Sequence, residues 1–218
     1  MIASTRLRQL TLMGIPFAFA ILLLFHPLAL GHALGEESIY EALRNHVLRW
    51  QVVHVFQLFF IGLMGVAIYV LTSTLEGRAA TISRLAAVSF VLFYGAWEAA
   101  TGIGTGVLVS YANSLPAAEQ AVANDIVQAY FDNPLIGNRS LLSVLGMLSW
   151  FAALGAAAIT FLRAGAPRSV PVLLALSGLA FGLGHPPPLG PLGLAFFIAA
   201  VWRLERGRPA HVAARRVE

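Results

Sequence analysis

Long apolar runs separated by short polar stretches organise this chain. A helix that crosses a bilayer needs about 20 mostly apolar residues. The first such run covers residues 12–31, behind Arg6 and Arg8. The second starts near residue 51 and ends at 71, and the third covers residues 85 to about 109 with Glu98 inside it. The fourth covers 141–162. A last apolar stretch, 170–202, is broken by the sequence HPPPLGP. Proline lacks an amide hydrogen and clashes with the preceding turn, so a helix stops there. The break predicts two short spans, 170–184 and 189–202, that form a hairpin, with a re-entrant hairpin as the alternative. The expected fold is an all-α, polytopic transmembrane helix bundle of six spans.

Two polar intervals are long enough to hold helices of their own. In EESIYEALRNHVLRW, residues 36–50, apolar Ile39, Leu43 and Val47 recur with a period near four, which predicts an amphipathic helix running into the second span. In the interval 110–140, Ser114 is a candidate N-cap and Pro116 suits a first turn. Asn138 or Ser140 is the candidate cap of the fourth span.

Composition turns this pattern into a membrane assignment. The chain of 218 residues is 58% hydrophobic and only 11% charged, whereas a soluble globular chain carries about 25% charged residues. The net charge of +4 does not point to nucleic acid, because the arginines follow membrane topology. With the N-terminus inside, the inner side receives Arg6, Arg8, Arg78, Arg84, Arg163, Arg168, Arg203, Arg206, Arg208, Arg215 and Arg216, and the outer side only Arg44, Arg49 and Arg139. The positive-inside rule then predicts a multi-pass protein of a bacterial plasma (inner) membrane with both termini in the cytoplasm. Residues 1–204 form one transmembrane domain, and 205–218 form a basic, disordered cytoplasmic tail. The first run also fits a cleavable signal peptide, with GHA at residues 31–33 as a cleavage site, which would leave five spans.

Candidate chemistry enters with histidine and one carboxylate. The chain has no cysteine and no lysine, which excludes disulfides, thiolate ligands, cysteine nucleophiles and Schiff-base cofactors. His46, Trp50, His54, Gln57 and Ile61 recur at spacings that share one helix face. On this topology His26 and His54 lie roughly 7 and 5 Å below the outer surface, and His32, His46 and His185 lie at its edge. Trp50 reads as an interfacial anchor. Glu98 sits near mid-span, where a carboxylate costs about 2.5–3.5 kcal/mol on insertion scales and normally faces a polar partner. A protonated Glu98 that merely joins two helices is the structural alternative. Gly95, Gly102 and Gly106, and Gly178 with Gly182, are small residues spaced for close helix packing.

These residues predict a polar site in the outer leaflet that binds a metal, a small molecule or protons, with a transport role as one use. Glu98, His54, His26 and Gln57 are the ligand-binding or proton-carrying candidates. His26, His54, Glu98 and His185 are the metal-ligating candidates. Two histidines and a carboxylate suit a divalent metal with an open position, and two histidines on different helices suit a b-type haem. The alternatives are an assembly or accessory subunit of a membrane complex, and a membrane metalloenzyme or haem protein acting on lipid or quinone. The expected partners are membrane lipid and either a membrane protein or a second copy of the chain.

Overall fold

The computed structural model describes residues 5–27, 35 and 37–206. Every regular element among them is helical. Four helices are long and apolar enough to cross a membrane, which marks the chain as a membrane protein. These are α1 (Thr5–Leu24), α3 (Val47–Thr72), α4 (Arg78–Ser114) and α6 (Leu141–Arg163). Two short helices, α2 (Ile39–Leu43) and α5 (Ala117–Phe131), sit between them, and α7 (Ser169–Leu183) and α8 (Leu189–Arg206) close the chain as a hairpin.

Helix α4 packs most extensively on α6, α6 also on α7, and α7 on α8. Helices α1 and α3 complete the bundle, α1 against α8 and α3, and α3 against α4. One core runs through it, built on Phe19, Ile61, Met64, Phe90, Trp150, Phe181 and Phe197. Trp150 is fully buried, with ring centroids 4.8 Å from both Phe90 and Phe181. Small residues let the helices approach this closely. A Cβ at Gly146 would stand 2.9 Å from the Tyr94 Cα, and one at Gly193 would stand 2.6 Å from the Phe181 backbone nitrogen. Leu7, Leu24, Phe59, Leu92, Leu148 and Leu179 are exposed, as a lipid-facing surface requires.

The two ends of the bundle differ. At one end arginines satisfy helix carbonyls: Arg84 donates to the Thr72 and Leu75 oxygens at 2.9 and 3.1 Å, and Arg8 donates to the Val70 oxygen at 3.1 Å. Such donors cap the C-terminus of α3 and suit its dipole. At the other end α2 and α5 cover the bundle around a second core of Ile39, Tyr40, Leu43, Val109, Val127 and Phe131. Gln128 on α5 accepts from the Ile39 amide at 2.9 Å and ties the two caps together.

Three boundaries differ from the sequence expectation. The amphipathic helix before the second span stops at Leu43, and a turn at 44–46 separates it from α3. The turn swings α2 across the bundle end, where Asn113 holds it by donating to the Arg44 oxygen at 3.0 Å. Helix α5 starts at Ala117 with Pro116 as its N-cap, and the Ser114 hydroxyl instead bonds back to the Tyr111 oxygen at 2.7 Å. The third span extends well beyond 85–109 at both ends. Ser140 does cap the fourth span, accepting from the Ser143 amide. His32, GHA at 31–33, His211 and most of the C-terminal tail lie outside the described residues.

Candidate metal centre

Three chain segments far apart in sequence bring histidines to the capped end of the bundle. His26 follows the last turn of α1, where its amide bonds to the Leu23 oxygen at 3.1 Å. Pro27 comes next and prevents the helix from continuing. His54 lies in the second turn of α3, and His185 in the turn between α7 and α8. Gly190 fixes that turn: a Cβ there would overlap the His185 carbonyl. All three histidines are buried. One ligand nitrogen from each lies within 4.8 Å of the others. The Nε2 atoms of His26 and His185 are 3.3 Å apart.

Each imidazole is oriented through its far nitrogen. The Nδ1 of His26 is 2.8 Å from the Pro27 oxygen, and the Nδ1 of His54 is 2.7 Å from the Trp50 oxygen. A carbonyl only accepts, so both Nδ1 atoms carry hydrogen, and in the neutral rings both Nε2 atoms present lone pairs. The Nδ1 of His185 meets the Tyr94 hydroxyl at 3.0 Å. Outer partners of this kind set ring orientation and tautomer in metal-binding histidines. Two ligands on a tetrahedral zinc at about 2.0–2.1 Å stand about 3.3–3.4 Å apart, so the His26–His185 spacing already has the right size.

Glu98 stands beside this cluster. Its Oε1 lies 3.6 Å from His54 Nε2 and has no hydrogen-bond partner among the described residues. Its Oε2 accepts from the Gln57 amide at 3.0 Å. Both residues are fully buried. Glu98 is therefore in contact with both His54 and Gln57. His26 packs on the other side of His54, with ring centroids 4.9 Å apart.

Glu98 opens a π-helical segment, Glu98–Gly104, inside α4. Widened turns of this kind occur often at functional sites. Side chains take up its carbonyls: Tyr130 donates to the Ala100 oxygen at 2.9 Å, and Trp50 donates through Nε1 to the Gly102 oxygen at 2.6 Å. The Thr101 hydroxyl donates to the Ile136 oxygen. A Cβ at Gly102 would overlap the His54 ring, so only glycine lets α3 and α4 meet here. Gly106 and Gly182 are also tight, against Gln51 and Phe151, whereas Gly95 and Gly178 make ordinary contacts.

Two expectations change. Trp50 is 6% exposed and braces the centre, with its ring 4.0 Å from His54 and 5.2 Å from His26. It is not an interfacial anchor, because its N–H is bonded to a carbonyl inside the bundle. His46 is exposed at the lip and stays out of the centre, as its place ahead of the span suggests. Tyr94 was not singled out from the sequence. It lies one helical turn before Glu98, on the same face, and that spacing was the available signal.

No family model, no curated protein and no solved structure matches this chain, so the site itself carries the functional argument.

Proposed function

We propose that this protein is an integral-membrane metalloprotein in which His26, His54 and His185 hold one divalent transition-metal ion through their Nε2 atoms. The carrying observation is the convergence of three buried imidazoles whose far nitrogens are already engaged by Pro27, Trp50 and Tyr94. Imidazole suits zinc, iron, copper and nickel, whereas magnesium and calcium prefer oxygen donors. Zinc fits best, since three histidines with a position left for a fourth donor is a catalytic zinc arrangement. A b-type haem fits poorly. It needs a broad open slot for the macrocycle between two imidazoles, and here the Trp50 and His54 rings pack on His26 and the Trp97 ring packs on His185.

The arginine distribution supports placing both termini in the cytoplasm and the metal centre in the outer half of a plasma membrane. Helix packing around Gly102 and Gly106 then holds the centre in place and is not itself the function. Elemental analysis of the purified full chain tests the reading. One zinc per chain is expected after loading and desalting, and His54→Ala should abolish it. Sub-stoichiometric metal that is unchanged in His54→Ala would overturn it.

A further inference from the structure

We propose that Glu98 is the general base of this centre, that it receives a proton from a metal-bound water, and that the reaction is hydrolysis of an uncharged ester or amide. The inference rests on the three histidines holding a metal. Three observations carry it. The Glu98 carboxyl is 1% exposed, and its Oε1 has no hydrogen-bond partner among the described residues. Burial without a partner costs a carboxyl free energy, so this atom is arranged to meet something at the centre. Oε1 lies 3.6 Å from His54 Nε2, yet among the described residues the compact donor set contains only the three histidines. Glu98 is thus one step outside the ligand set, at the reach of a water bound to the ion.

Gln57 is the positioning residue. Its Nε2 donates to Glu98 Oε2, which leaves Oε1 as the oxygen aimed at the centre. The Gln57 Oε1 also has no hydrogen-bond partner among the described residues. An amide can turn over, so the same side chain can donate to a carboxylate or accept from a carboxylic acid. It therefore suits a group that takes up and returns a proton.

The step balances without an oxidant or reductant. The water oxygen bonds to the acyl carbon while its proton passes to Glu98 Oε1. The acyl–oxygen or acyl–nitrogen bond then breaks, and the leaving group takes the proton back from Glu98. An acid and an alcohol or amine result. A metal held by the three histidines would lower the pKa of its water toward about 7 and polarise the carbonyl. The centre is walled by Trp50, Tyr94 and Trp97 inside an apolar bundle, which favours a substrate uncharged at the reacting bond.

The test uses the zinc-loaded full chain in detergent with p-nitrophenyl butyrate as the probe ester, and the cobalt-loaded chain with azide. Wild type should hydrolyse the ester only when loaded. Glu98→Gln should keep one metal per chain while losing about 100-fold or more in rate, the usual scale of a general base. Glu98→Asp, which keeps a carboxylate at a longer reach, should fall between them and guards against a folding defect in the amide variant. Azide should shift the visible cobalt spectrum, because it replaces a water. The proposal is overturned if Glu98→Gln loses its metal as His54→Ala does, if it hydrolyses at the wild-type rate, if loaded wild type is inert, or if azide leaves the cobalt spectrum unmoved. Wild type that binds no metal at all would instead overturn the metal assignment itself.

Discussion

His26 and His185 are separated by 159 positions in the chain, and their Nε2 atoms lie 3.3 Å apart in the fold. A metal bound between them would join the end of α1 to the turn between α7 and α8, and His54 would add α3. Such an ion would favour the folded chain, where the three ligands are brought together. A ligand at about 100 times its Kd stabilises the fold by about 2.7 kcal/mol. Zinc should therefore raise the melting temperature of the chelator-treated protein. His185→Ala should remove the increment without abolishing the fold, as thermal unfolding in detergent will show.

The Tyr94 hydroxyl orients His185 from 3.0 Å. Tyr94→Phe keeps the ring in its packing against Phe90 and Phe181 and removes only the hydroxyl. Metal affinity should fall by about 10–100-fold, the usual effect of deleting an outer partner of a ligating histidine. Competition with a zinc chelator measures it. An unchanged affinity would mean that Tyr94 does not orient the ligand.

Gly102 leaves room for the His54 ring and Gly178 makes only loose contacts, the nearest at 3.7 Å. Gly102→Ala should cost about 1–3 kcal/mol as overpacking and should also lower zinc loading, because the displaced ring is a ligand. Gly178→Ala, in the other small-residue pair, should be nearly silent in both measurements. Equal effects in the two variants would sink the distinction.

The arginine bias predicts the orientation of the chain. Alkaline phosphatase fused after Glu218 should be inactive and a cytoplasm-active reporter there should work, with the opposite result for fusions at 113–134. Phosphatase activity at the C-terminus would reverse the orientation and put the metal centre on the cytoplasmic side.

Much of the helical architecture was legible because apolar runs of 20 residues and a proline break have few other solutions in a membrane. His26, His54, Gln57 and Glu98 stood out for the same reason, being polar groups inside apolar runs. Their meeting was not legible. Contacts such as Tyr94 to His185 cross helices and leave no trace in local spacing. Trp50 was misread because a tryptophan near the end of a span looks alike in sequence whether its N–H meets interfacial water or, as here, the Gly102 carbonyl. The π-helical turn at Glu98 was equally hidden, since its carbonyls are taken up by Tyr130 and Trp50 from distant segments. The break at 44–46 comes from packing of α2 against α5, which outweighs a helical period that continues through it.

X-ray absorption at the zinc edge of the loaded full chain tests the central claim most directly. Three histidine ligands predict a first shell of nitrogen at about 2.0–2.1 Å with the outer-shell scattering of three imidazoles, falling to two in His26→Ala. A first shell of oxygen without imidazole scattering, or a spectrum that His26→Ala leaves unchanged, would contradict it.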